Sequence, residues 1–81
     1  MLFADAKKIA NNENLYNINW FSESNLRENQ VGIKKVDSEW IVYVTDERAS
    51  IVSASISRFH SEDTAWDTLI RKARYAKKYL L

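Results

Sequence analysis

Apolar positions along the chain change their period several times, and each change marks an element. Leu2, Ala6, Ile9 and Ala10 recur at helical spacing with Lys7, Lys8 and Asn11 between them, which predicts a short amphipathic helix ending within 11–14. From Tyr16 the period becomes two: Tyr16, Ile18 and Trp20 alternate with Asn17 and Asn19, as in an edge strand. Residues 22–29 are polar and read as loop. Segments 31–36 and 40–46 flank Asp37 and Ser38, a two-residue hairpin turn. That register sets Ile33 opposite Val42, Val31 opposite Val44, and Gly32 opposite Tyr43, where a tyrosine ring can cover a strand glycine. Residues 50–59 alternate Val52, Ala54 and Ile56 with Ser53, Ser55 and Ser57, and a loop at 47–49 brings Val44 opposite Val52 and Val42 opposite Ala54.

One face of the expected sheet is Val31, Ile33, Trp40, Val42, Val44, Val52, Ala54 and Ile56. The other is Lys34, Ile41, Tyr43, Thr45, Ser53 and Ser55, open to water or a partner. The cover for the first face is a final helix. Ser61 suits its N-cap, Glu62 and Asp63 its first turn, and Trp66, Leu69, Ile70, Ala73, Ala76 and Leu80 share one stripe. The expectation is a single α+β domain over residues 1–81. It has two layers: an N-terminal helix, an antiparallel three- to four-stranded meander sheet, and a C-terminal helix packed on one sheet face.

Composition changes this picture in one respect, the distribution of charge. Net charge is only +1, yet residues 1–70 hold seven Lys/Arg against eleven Asp/Glu, and residues 71–81 hold five Lys/Arg and no acid. An acidic body thus carries a basic tail, in part because cations suit a helix C-terminus. Cysteine is absent, which removes disulfides and thiolate metal sites and points to a reducing compartment, the cytoplasm. No signal-peptide pattern occupies residues 1–10, and no apolar run reaches membrane-spanning length.

Catalytic chemistry finds little support. His60 is the single histidine, and Ser61 and Asp63 beside it are ordinary surface types without a nucleophile motif. One histidine without cysteine is a weak metal set even with Asp63 and Asp67 near it, and Gly32 alone cannot build a phosphate-cradling loop. No enzyme, metal or cofactor is therefore expected. Two surfaces remain. Tyr75 and Tyr79 lie one turn apart, opposite the buried stripe, among Arg71, Lys72 and Lys78. Such interleaving suits a protein interface or single-stranded nucleic acid, although the near-neutral charge disfavours nucleic acid. The second surface is the serine-rich sheet face around Tyr43, edged by Glu39, Asp46, Glu47 and Arg48.

Three strings, Glu-Ser-Asn-Leu-Arg-Glu-Asn-Gln-Val-Gly-Ile-Lys-Lys from residue 23, Trp-Ile-Val-Tyr-Val-Thr-Asp-Glu-Arg-Ala from residue 40 and Phe-His-Ser-Glu-Asp-Thr-Ala from residue 59, resemble a family of small bacterial immunity proteins. These belong to polymorphic toxin and contact-dependent growth inhibition systems, and the resemblance spans roughly residues 20–72. It implies a cytoplasmic inhibitor that binds a cognate toxin domain, with no catalytic group to carry over. The chain itself would be a monomer or weak homodimer. Against a basic nuclease groove, an acidic body speeds association through complementary fields. The expected toxin contacts are Tyr43, Asp46, Glu47, Arg48, Glu39 and Glu28. The alternative is a single-stranded nucleic-acid module using Arg71, Lys72, Tyr75, Lys78 and Tyr79.

Overall fold

A computed structural model describes residues 1–79, the side chain of Glu23 excepted. Its elements are α1 (Phe3–Glu13), β1 (Ile18–Trp20), a 3-10 turn (Glu23–Asn25), β2 (Val31–Val36), β3 (Glu39–Val44), a second 3-10 turn (Ser53–Ser55), β4 (Ser57–Phe59) and α2 (Glu62–Tyr79). The four strands form one sheet in the order β1-β2-β3-β4, and α2 packs on one face of it beside α1. The chain has the α+β architecture that its periodicity predicts.

Local chemistry explains the element ends. Asp5 accepts the backbone N–H of Leu2 at 3.0 Å and so satisfies a free donor at the start of α1. Asn14 closes that helix in the left-handed region (φ 56°, ψ 48°), which lets the N–H of Leu15 reach the carbonyl of Ala10 at 2.8 Å. The β2–β3 turn is the predicted Asp37–Ser38 pair, with Asp37 at φ 56°, and its register is the predicted one: Val31 with Val44, Gly32 with Tyr43, Ile33 with Val42. The stripe Trp66, Leu69, Ile70, Ala73 and Ala76 is buried against Val31, Ile33, Val42 and Ile18. Leu80, expected on the same stripe, lies outside the described residues.

Three expectations need correction. First, β1 runs parallel to β2, Ile18 pairing with Val31 and Trp20 with Ile33, so only β2, β3 and β4 form a meander. A parallel pair needs a crossover. Residues 21–30 supply it, and side chains of the sheet face remote from α2 hold its backbone. The Asn19 amide donates to the carbonyls of Ser22 (3.1 Å) and Asn25 (3.4 Å), and the Thr45 hydroxyl donates to the carbonyl of Arg27 (2.6 Å). Second, that remote face is not open: Ile41, Tyr43, Thr45, Asn17 and Asn19 are all buried. Tyr16 and Leu2, by contrast, are exposed.

Third, β4 is short. Val52 does bond across to Val44, its N–H meeting that carbonyl at 2.9 Å, but Val42 faces Ser57 and not Ala54. The turn Ser53–Ser55 inserts three residues between the two registers. Its Ser55 hydroxyl takes the N–H of Val44 at 2.9 Å, standing in for a strand carbonyl. Val52, Ala54 and Ile56 consequently leave the core.

The Tyr43 ring lies on Gly32 so closely that a Cβ there would sit 2.2 Å from the tyrosine Cζ. With Tyr43 wholly buried, the ring has no room to withdraw. Gly32→Ala should therefore destabilise the fold by about 1–3 kcal/mol by overpacking. The cost should shrink in a Tyr43→Ala background. Urea unfolding of the single and double variants measures that coupling.

Candidate functional site

Of the six expected toxin contacts, three converge. Glu28 from the crossover and Glu47 and Arg48 from the β3–β4 loop line one open cleft of roughly 540 Å³, together with Tyr16, Asn17, Arg27, Asn29, Gln30 and Ala49. Asp46 sits beneath that loop and organises it. Its carboxylate accepts the backbone N–H groups of Arg48 (2.9 Å) and Ser50 (3.0 Å), and Ala49 completes the turn at φ 61°. These bonds, that of Ser50 first, hold the Asp46 carboxyl below the usual carboxylate range.

The other two contacts do not join them. Tyr43 is wholly buried over Gly32 and presents no surface to a partner. Glu39 starts β3, at the opposite end from Asp46 and roughly 20 Å away at strand rise. There it faces Arg58 across 3.8 Å.

Sequence reasoning missed the cleft's most unusual residue, Asn17. Both polar atoms of its carboxamide are buried and neither has a hydrogen-bond partner among the described residues. Each such group costs about 1–3 kcal/mol relative to a paired one. The only hint in the sequence is an asparagine inside a strand-like alternation. Its burial depends on the crossover and the β3–β4 loop folding back together, which no local pattern records.

The basic residues of α2 divide into two groups. Arg74 grips Glu13 at the end of α1 with two bonds, Nε to Oε1 at 2.8 Å and Nη2 to Oε2 at 2.5 Å, and Lys77 donates to the Glu13 carbonyl. That contact holds the Glu13 carboxyl below its ordinary range and raises Arg74. Arg71, Lys72, Tyr75, Lys78 and Tyr79 are the second group, and the structure brings them together on one face. The Tyr75 and Tyr79 rings are 4.7 Å apart and about 60% exposed, and the Lys78 ammonium stands 5.2 Å from the Tyr79 ring centre. Lys72 is half-buried and donates to the Ser55 carbonyl at 2.9 Å; burial first, then the neighbouring Arg71 charge, lowers its pKa.

Under Tyr75 lies a second concavity, which no residue pattern foretells. It is a groove of about 270 Å³ between α2 and the sheet, lined by Val31, Val44, Val52, Ser55, Lys72, Tyr75 and Ala76. Val52 and Ser55, at the turn that interrupts the strand, form part of its wall.

His60 is exposed just before α2. Among the described residues no three His, Cys, Asp or Glu side chains are placed to share a metal ion, and no helix is long and apolar enough to cross a membrane. Comparison with protein-family models, curated proteins and solved structures gives no match.

Two measurements check this geometry. Because its folded pKa is depressed, Asp46 supports its turn fully above the unfolded value, and the support is lost as pH falls through the lower folded value. The Arg48 and Ser50 amide resonances should therefore hold steady down to about pH 4, the ordinary aspartate range, and move only below it. Ser55→Ala should leave the Val44 N–H without its acceptor. A stability lower by about 1–3 kcal/mol in urea unfolding is the expected result.

Proposed function

We propose that the chain works by recognising another protein, as an immunity protein that blocks a cognate toxin domain in the cytoplasm. The observation that supports this most is the loop-end cleft. Glu28, Glu47 and Arg48, distant in sequence, converge on one open cleft. Charged side chains of both signs there can meet complementary charges of a partner. The site is also preorganised. Asp46 fixes the Glu47–Arg48 loop, and Thr45 fixes the crossover, its Oγ1 accepting the Gln30 N–H at 2.7 Å and donating to Arg27. Little ordering entropy is then lost on binding, which favours tight association.

The excess of acid over base in residues 1–70 suits a toxin with a basic substrate groove and would accelerate encounter. The resemblance of the three sequence strings to immunity proteins supports the same reading, which requires recognition and no reacting group.

The test is co-expression and size-exclusion chromatography with the protein encoded immediately upstream. A stable complex and rescued growth are expected; absence of both defeats the proposal. Asn17→Leu removes two buried, unpaired polar atoms and so should leave stability equal or higher. Glu47→Ala with Arg48→Ala should weaken the complex by about tenfold or more, because both residues line the cleft at the loop that bounds it. A complex indifferent to the Glu47 and Arg48 changes would place the toxin elsewhere on the surface.

A further inference from the structure

The groove beneath Tyr75 shares no lining residue with the loop-end cleft and opens onto the edge of the core at Val31 and Ala76, and its construction restricts what can fill it. Its walls are valine side chains from two strands and the Ser53–Ser55 approach (Val31, Val44, Val52), with Ala76 behind and Tyr75 at the mouth. At about 270 Å³ it is smaller than the roughly 300–1,000 Å³ of a small-molecule site, and so has room for a side chain or two. One cation, Lys72, lines it, and the helix that carries Lys72 is basic. Arg74 and Lys77 are held by Glu13, but Arg71, Lys72 and Lys78 have no carboxylate partner among the described residues. Lys72 spends one of its three donors on Ser55 and keeps the rest at the edge of the groove.

We infer that this groove docks an acidic segment of a partner protein, which inserts one aliphatic or aromatic side chain between Val44, Val52 and Tyr75 and sets a carboxylate against Lys72. An apolar anchor seated in a pocket beside a tyrosine is a usual arrangement of an interface hot spot. Nucleic acid fits less well, because the valine-lined walls offer no donors or acceptors for a base edge and the rest of the chain is acidic. The groove lies apart from the loop-end cleft, and docking there does not require that cleft to contact a toxin.

The experiment uses the full chain and a displayed random-peptide library, so its outcome is independent of any toxin complex. Selected peptides should carry an apolar residue with Asp or Glu beside it. On titration they should shift the methyl resonances of Val31, Val44, Val52 and Ala76. Val52→Glu, at an exposed position, should weaken them about tenfold or more by placing a charge in the apolar groove. Lys72→Gln keeps a donor for Ser55 yet removes the charge, and should weaken acidic peptides while sparing versions with Asn and Gln in their place. Unchanged tryptophan fluorescence would show that both variants are folded. Failure to select any peptide, selection of basic peptides, or shifts confined to other residues would overturn the inference. So would an oligouridylate that binds the same methyl groups more tightly than the best peptide.

Discussion

The indole of Trp66 is the point on which the two layers meet. It is fully buried, and its ring lies 5.4 Å from Phe3 of α1, 5.9 Å from Trp20 of β1, 5.8 Å from Phe21 of the crossover and 6.0 Å from Trp40 of β3. Its N–H does not go unpaired, donating to Glu62 one turn earlier at 2.9 Å. A small domain has little apolar area to bury, and five large rings concentrate it. The cluster also constrains the backbone. Phe21 sits at φ 62°, a region that bulky residues avoid, and its ring contacts with Trp66 and Trp40 offset the strain. That bend carries the chain from the core side of β1 into the crossover.

The crossover leaves the sheet covered on both sides at its centre. α2 takes one face with an apolar stripe, and polar side chains tie the crossover to the other through Asn19 and Thr45. Concavities then lie at the margins of the sheet. At one margin, loops converge on a polar cleft with a buried, unpaired asparagine side chain. Along another, beside an interrupted strand, lies an apolar groove under a basic, tyrosine-bearing helix. The two differ in chemistry, one lined by charged and amide side chains and the other mostly by valines.

Much of this architecture is legible in the residue pattern. Hydrophobic periodicity identifies α1, α2 and the β2–β3 hairpin, with the Asp37–Ser38 turn and the register that puts Tyr43 over Gly32. These are local rules, expressed within a few residues of where they act. The basic and aromatic face of α2 is legible for the same reason, since helix geometry places Arg71, Lys72, Tyr75, Lys78 and Tyr79 together whatever else the chain does. The β3–β4 loop at 47–49 is legible too, but the strand after it is shorter than its alternation suggests. Ser53 and Ser55 read as the outward side of that alternation, whereas Ser55 uses its hydroxyl to take over the bond of a missing strand.

The sequence alone determined the fold class, the helix that covers the sheet, the central hairpin and the helix face that remains outside it, because each depends on period and on turn chemistry. Only the tertiary structure decided that β1 runs parallel to β2, that Tyr43 is enclosed, that Glu39 stands away from Glu47, and that the Asn17 side chain lies unpaired in a cleft. Those outcomes turn on where a polar crossover settles and which distant side chains capture its backbone carbonyls, and such contacts leave no periodic trace along the chain.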